Sequence, residues 1–121
     1  MDDEPASGGW IAGNAKDDTA DTRGWLVGHF IEPAQGVRAT EDVEVKWAHH
    51  SAGDRRSAWM SGDWRTTLVI LISGEFRVDL TGGSRTMNCQ GDYVMWVPGC
   101  DHSWEAATDS LVLTIRWPSV R

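Results

Sequence analysis

Cysteine, basic charge and long apolar runs are all scarce in this sequence, and each scarcity excludes a class of protein. Cys89 and Cys100 are the only cysteines among 121 residues, too few for a disulfide framework, so we expect two free thiols. The longest apolar run, residues 68–72, is far too short to cross a bilayer. The acidic N-terminus lacks the positive region of a signal peptide. We therefore expect a cytoplasmic protein with no membrane partner.

The distribution of charge indicates two segments. The net charge is −7, and residues 1–22 hold six of the 18 acidic residues but only one basic residue, Lys16. The remaining chain is close to neutral and has no basic patch, which argues against a nucleic-acid partner. We expect residues 1–22 to form a flexible acidic arm. Residues 23–121 have the length of one domain with a single core.

Short alternating segments separated by turns fill the predicted domain. Residues 43–50 alternate with a period of two, and residues 66–73 are apolar on both faces. Gly74 and Gly82 mark tight turns. Further strand-like segments lie at residues 25–31, 76–80, 85–89, 93–97, 102–106 and 111–117. No segment shows a helical period. This pattern predicts an all-β sandwich or barrel.

One stretch resembles the second conserved motif of the cupin superfamily. Residues 91–102 contain a glycine, a strand, the Pro98-Gly99 pair, two further residues and then His102. The family motif has a metal-binding histidine at the last of these positions. The proline stands one position late, and Ala106 replaces an asparagine that usually follows the histidine. The resemblance implies a cupin-type double-stranded β-helix, or jelly-roll barrel, with His102 pointing into the barrel mouth.

The first cupin motif has kept its frame but not its ligands. Counting back from Gly74 places the family's glutamate and two histidines at Thr67, Ser61 and Asp63. Counting forward from the other end of the motif places the two histidines at Trp59 and Ser61. None of these positions holds a histidine. The resemblance covers residues 43–117 and implies a barrel whose usual metal site has largely been lost.

A metal-dependent enzyme is one alternative for the function. Cupin metals such as iron, manganese, zinc and nickel need three or four converging nitrogen and oxygen ligands. The motif positions supply His102 and Asp63. Neighbouring strand residues point to opposite faces, so at most one of His49 and His50 points inward, and His50 is the one we select. The other possible substitutes are His29 and Cys100. Two motif ligands are too few for a tight site. We therefore expect no tightly bound cofactor, with a transition metal on a noncanonical ligand set as the alternative.

A metal-free acid–base reaction is a second alternative. Some cupins that epimerise sugar nucleotides resemble this plan, with a histidine base and a tyrosine acid inside the barrel. His102 and Tyr93 are the matching catalytic candidates here, because histidine titrates near neutrality. The resemblance thus implies an isomerase or epimerase if both side chains face the interior.

The favoured prediction is a barrel that binds a small molecule. Eight tryptophans are far more than the length suggests, and two arginines lie on strands with apolar neighbours. Aromatic walls with one or two fixed charges are typical of pockets that hold a ring or a carboxylate. The predicted ligand-binding residues are His102, Trp59, Ser61, Thr67, Trp96, Trp104, Arg77 and Arg116. We also expect a homodimer.

Overall fold

The structure, a computed structural model, describes residues 9–121 and confirms the predicted all-β architecture. A single helical turn, α1 (Ala15–Asp18), precedes the strands. In chain order the eight strands are β1 (Trp25–Val27), β2 (Glu44–His50), β3 (Thr66–Ser73), β4 (Phe76–Leu80), β5 (Gly83–Met87), β6 (Tyr93–Trp96), β7 (His102–Ala106) and β8 (Ser110–Trp117).

The strands form two antiparallel sheets. The large sheet has the order β1-β2-β8-β3-β6, and the small sheet has the order β5-β4-β7. The loop before β3 extends the small sheet along its free edge. There the Gly53 N–H donates to the Ala106 carbonyl at 2.8 Å, and the Met60 N–H donates to the His102 carbonyl at 2.8 Å. The small sheet is therefore as wide as a four-stranded sheet and covers one side of the interior.

The core lies between the inner faces of the two sheets. Its most deeply buried members are Leu71 and Val112 from the large sheet and Val78, Met87 and Ala106 from the small sheet. Apolar side chains from two facing sheets fill such a space at the density of an organic solid. Four members of the core, Val69, Phe76, Val78 and Trp96, also line the cavity described below.

The hairpin between β3 and β4 depends on Gly74. Its φ of 100° is in the left-handed region that favours glycine. A Cβ atom at this position would also lie 2.4 Å from the backbone oxygen of Asp109. Both the turn geometry and the close approach of the chain therefore require the glycine, and the predicted turn is confirmed.

Strand β2 turns its charged face inward. Glu44 and Ala48 are buried and Lys46 is half-buried on the interior side, whereas Val45 and Trp47 point to the outer side. Hydropathy alone favours the opposite orientation. The register explains the result, because Glu44 is paired across the strands with Arg116 of β8 and forms an ion pair with it.

The N-terminal segment is described from residue 9 onward. The Asn14 side chain caps α1, accepting from the Lys16 N–H at 3.0 Å and the Asp17 N–H at 3.2 Å. Thr19 is buried, and its hydroxyl donates to the Ala15 carbonyl at 2.6 Å. The sequence pattern did not predict this helical turn. The first eight residues of the predicted arm lie outside the described residues, and the domain division at residue 23 stays a prediction.

The expectations drawn from scarce residues concern thiols and membrane spans. Cys89 and Cys100 both carry free thiols. Over residues 9–121, the structure contains no helix with the length and apolar character needed to span a membrane.

Candidate functional site

A cavity of about 160 Å³ lies between the two sheets, beside the core. An apolar cavity of about 150 Å³ is large enough to hold benzene, so this space suits a ligand no larger than about one aromatic ring. Its walls combine aromatic, cationic and hydroxyl side chains from both sheets. They are Trp25, Lys46, Ala48, His50, Arg56, Met60, Thr67, Val69, Phe76, Val78, Trp96, His102, Trp104, Thr114 and Arg116.

A row of polar side chains crosses the large sheet at this level. Glu44 on β2 is paired with Arg116 on β8, Arg116 with Thr67 on β3, and Thr67 with Trp96 on β6. Directly paired residues point to the same face of a sheet. The register therefore aligns these four side chains along the interior. The next row toward the core begins with Lys46, which is paired with Thr114.

The cavity wall is positively charged. Lys46, Arg56 and Arg116 are cationic lining residues, and none of the described residues that line the cavity is acidic. Charges of one sign in a partly enclosed space of low polarity raise the local concentration of counter-ions. The lining therefore favours an anion over a neutral or cationic ligand.

The carboxylates at this end of the barrel lie behind the wall and hold the arginines in place. Glu44 is only 1% exposed and accepts from Arg116 Nη2 at 2.7 Å, from Arg65 Nη1, and from the Ser119 hydroxyl at 3.1 Å. Asp63 accepts from Arg65 Nε at 3.0 Å. Burial alone would raise the pKa of Asp63, but hydrogen bonds from the side chain and backbone of Arg65 lower it. Both carboxylates are thus already engaged by arginines.

Three buried polar atoms on the cavity wall have no hydrogen-bond partner among the described residues. They are Thr67 Oγ1, Trp96 Nε1 and Arg116 Nε, all members of the polar row. An unsatisfied buried polar group costs about 1–3 kcal/mol, and such groups in folded proteins are rare. Two of the three atoms are N–H donors, and the hydroxyl can also donate. Each of the three atoms can therefore donate a hydrogen bond for which the described residues supply no acceptor.

His102 lies inside the barrel, as the motif predicted. Its Nδ1 is 3.3 Å from the Cys100 carbonyl, and its ring centre is 4.6 Å from that of Trp96. Because a carbonyl only accepts, this contact places a proton on Nδ1 and leaves Nε2 as an acceptor. Burial lowers the pKa of His102, although the bond to Cys100 opposes the shift. The neutral ring is therefore the favoured form.

The structure brings five of the eight predicted ligand residues together around the cavity and places three elsewhere. The five are Thr67, Trp96, His102, Trp104 and Arg116. Trp59 is 53% exposed, and Ser61 is also exposed. Arg77 alternates with the buried Phe76 and Val78, so it points to the outer face, where its Nε donates to Asp79 at 2.8 Å. The prediction that Trp59, Ser61 and Arg77 belong to the site is therefore wrong, because none of the three lines the cavity.

Tyr93 does not join His102 in the barrel. The tyrosine is 66% exposed, because it alternates along β6 with Val94 and Trp96, which are buried. The two members of the predicted acid–base pair therefore lie on opposite sides of the large sheet. The structure therefore does not bring together the pair on which the metal-free isomerase or epimerase alternative depended.

The described residues do not fit a transition-metal site of the predicted composition. His50 and His102 line the cavity, but both oxygens of Asp63 already accept hydrogen bonds from Arg65. Within the part of the chain that the structure describes, no cluster of three or more His, Cys, Asp or Glu side chains is arranged to hold a metal ion. The cationic wall also opposes a bound cation.

Several lining residues were not predicted from the sequence, and Lys46 is the clearest case. The period of two on β2 puts Lys46 on the same face as His50, which was considered as an inward-facing ligand. That parity was a signal that could have identified Lys46 as a cavity residue, but it was not used. Arg56 gave no comparable signal, because it lies in the irregular loop that pairs with β7.

The buried histidines make stability sensitive to mild acid. Burial lowers the pKa of His50 and of His102 from the ordinary value of 6.5. Between the folded and unfolded pKa values the unfolded chain binds more protons. The stability that the two neutral histidines contribute to the folded state is therefore complete above about pH 6.5. It is lost as the pH falls from this value toward the pKa of the folded state. We expect His102→Gln to flatten the fall in melting temperature between about pH 7 and pH 5. The exposed His49→Gln serves as the control, and equal slopes in all three proteins would contradict the prediction.

Several solved structures of other proteins share the arrangement of strands described above. KdgF from a Halomonas species matches with a TM-score of 0.59 and 22% identity, over 65% of this chain and 71% of that chain. An RmlC-like cupin from Shewanella frigidimarina matches with a TM-score of 0.59 and 16% identity, over 65% and 68% of the two chains. Salicylate 1,2-dioxygenase from Pseudoaminobacter salicylatoxidans, in complex with gentisate, matches with a TM-score of 0.60 and 15% identity, over 72% of this chain and 23% of that chain. No protein-family model and no curated protein sequence matches the chain.

Proposed function

Because the chain has the cupin fold, the double-stranded β-helix, we propose that its barrel binds a small organic acid in the cavity between the sheets. Proteins of this fold include enzymes, such as salicylate 1,2-dioxygenase, whose structure with gentisate contains a ring that carries a carboxylate. Such a ligand combines an anionic group with an apolar body of about one ring. The cavity described above offers a partner for each part.

The observation that carries the proposal is the set of unpartnered polar atoms on the polar row. Arg116 Nε, Trp96 Nε1 and the Thr67 hydroxyl are buried, line one cavity and have no protein acceptor among the described residues. A carboxylate has two oxygens with about four acceptor positions, which is enough for all three donors. Hydrogen bonds that involve a charged group are roughly twice as strong as neutral ones. A carboxylate would thus satisfy donors that are otherwise costly to bury.

The opposite wall suits the apolar part of the ligand. Phe76 and Trp104 stack with their ring centres 5.3 Å apart, and Val78, which is paired with Trp104, also lines the cavity. His102 contributes an acceptor at Nε2 on the same side. In this proposal the large sheet recognises the acid group. The small sheet contacts the ring and, through His102, a hydroxyl on the ligand.

The experiment that tests the proposal compares an acid with its neutral analogue. We expect benzoate to change the tryptophan fluorescence of the full chain and benzamide to bind at least about tenfold more weakly. Thr67→Val is expected to weaken benzoate binding about fivefold to tenfold, because it removes one hydrogen bond. It should also leave the melting temperature unchanged or raised, because an unsatisfied buried hydroxyl is replaced by a methyl group of similar shape.

Thr66→Val is the matched control, because Thr66 lies next to Thr67 on β3 and points to the outer face. This control should bind benzoate like the unmodified chain. Equal binding of benzoate and benzamide, or equal effects of the two valine substitutions, would contradict the proposed acid site.

We also propose that two copies of the chain associate through the outer face of the large sheet. Apolar side chains on this face are half-buried or exposed, and Met95 is 54% exposed. The face comprises Val45, Trp47, Leu68, Ile70, Met95, Leu111, Leu113 and Ile115. Extended apolar patches are rare on monomers, and a face without charge complements a second copy of itself. Light scattering should give a dimer that Met95→Glu converts to a monomer, whereas Thr86→Glu on β5 does not. A monomeric unmodified chain would contradict this proposal.

A further inference from the structure

The chain has only two lysines, and one of them lies in the cavity. Lys46 is half-buried on the inner face of β2, whereas Lys16 is exposed on α1. Lysine is among the residues least often found in protein interiors unless a partner neutralises it. The Lys46 ammonium lies 5.4 Å from the ring centre of Trp25 and forms no ion pair with any carboxylate in residues 9–121. Lys46 is thus a half-buried side chain whose charge no carboxylate among these residues neutralises.

The surroundings of Lys46 make its amine easier to deprotonate than that of an ordinary lysine. Burial is the largest effect that lowers the pKa of Lys46, followed by the positive charges of Arg116 and Arg23. The Arg116 guanidinium lies 4.8 Å from the ring centre of the same Trp25. Desolvation beside another cation is how proteins activate a lysine as a nucleophile toward carbonyl compounds.

The register also sets the distance between this amine and the acid site. Lys46 follows Glu44 by two positions on β2, and Glu44 is paired with Arg116, so the amine lies one row from the polar row. Same-face neighbours on a strand are about 7 Å apart. In a 2-oxo acid the carbonyl carbon is bonded directly to the carboxylate carbon. An acid held by the polar row would therefore present its carbonyl toward the Lys46 row.

We propose that Lys46 is a nucleophilic amine that forms a Schiff base with a small oxo acid in the cavity. This inference rests on the proposed function, because the carboxylate site orients the acid. The Lys46 nitrogen lone pair forms a bond to the carbonyl carbon, and the C=O π electrons move to oxygen. One amine proton passes to that oxygen to give a carbinolamine. The carbinolamine hydroxyl then leaves with the second amine proton as water, and a C=N bond remains.

The step needs no oxidant or reductant, only a group that moves a proton between nitrogen and oxygen. His50 and His102 line the same cavity and are the titratable groups able to relay that proton. Neither histidine is required to form a covalent bond. The nucleophile and the acid anchor are thus both on the large sheet, with the histidines beside them.

The test traps the Schiff base in the full chain. The protein is incubated with pyruvate and sodium cyanoborohydride, which reduces the C=N bond to a stable secondary amine. Each reduced adduct adds the mass of pyruvic acid less one oxygen atom. A tryptic map then locates it, because a modified lysine is no longer cleaved. We expect Lys46 to be labelled at least about tenfold more than Lys16, which is an internal control.

Variants and competition connect the adduct with the cavity. Lys46→Arg keeps the positive charge and should lose the adduct, Lys16→Arg should keep it, and benzoate should suppress labelling of Lys46. Equal labelling of the two lysines in the unmodified chain would overturn the inference, whether or not the Lys46 variant folds. Pyruvate binding by fluorescence without an adduct would overturn the Schiff base and leave the acid site intact. Failure to bind any acid would overturn both.

Discussion

Replacing Glu44 by glutamine is expected to lower the free energy of unfolding by about 3 kcal/mol, one of the two largest effects that we predict for a single substitution. Glu44 is almost fully buried and accepts hydrogen bonds from Arg65, Arg116 and Ser119. Glutamine keeps the shape and one oxygen but removes the charge. Arg65 retains Asp63 as a partner, whereas no other carboxylate in residues 9–121 pairs with Arg116. The cost therefore comes mainly from one uncompensated buried guanidinium.

Chemical denaturation of the full chain measures this effect. Glu41→Gln is the matched control, because Glu41 is exposed three positions before Glu44 and undergoes the same change of group. A surface substitution of this kind should alter the free energy of unfolding by no more than about 0.5 kcal/mol. If the two glutamine variants had equal stability, Glu44 would not be the support of the arginines that the geometry indicates.

The second large effect concerns binding. Replacing Arg116 by glutamine is expected to weaken benzoate binding about a hundredfold, because the substitution removes the one cation of the polar row and an unpartnered donor, Nε. Glu44 would keep its bonds from Arg65 and Ser119, so the barrel should remain folded. A melting curve for the variant checks this before the titration.

Arg77→Gln is the control for the binding experiment. Both arginines are ligand-binding residues by sequence prediction, but in the structure Arg77 lies on the outer face and donates to Asp79. Benzoate affinity should therefore be unchanged in this variant. A comparable loss in both variants would show that the effect arises from overall charge and not from a contact in the cavity.

The strands and turns were predictable because they depend on local patterns. The period of two over residues 43–50 and the apolar run over residues 66–73 match β2 and β3 closely. The tight turn at Gly74 followed from the conformational freedom of glycine, and the Pro98-Gly99 turn fixed the start of β7 at His102. Local chemistry of this kind needs no knowledge of distant contacts.

The missed parts of the site depend on contacts between distant residues. Trp59 and Ser61 were selected by counting motif positions across a loop, and that loop follows β7 irregularly, with bridges only at Arg55 and Met60. The inward orientation of Glu44 and Lys46 depends on pairing with β8, more than sixty residues later in the chain. Hydropathy alone cannot indicate that a charged face is buried when its partners lie so far along the sequence.

The division of the cavity between the two sheets has a consequence for how the ligand preference of this barrel can change. In the proposed acid site, the groups that bind the anion lie on β8, β3 and β6, where Glu44 forms an ion pair with Arg116. Phe76, Val78 and Trp104, which set the room left for the ligand body, belong to strands of the other sheet. Thr67 and Arg116 do not belong to the hydrophobic cluster that contains Phe76, Val78 and Trp104 and share no hydrogen bond with them, so substitutions in these two groups should combine almost additively. In related barrels, mutations in β4 and β7 should therefore change the size of the acid that binds. The preference for a negatively charged ligand should stay the same, because it depends on residues of the other sheet.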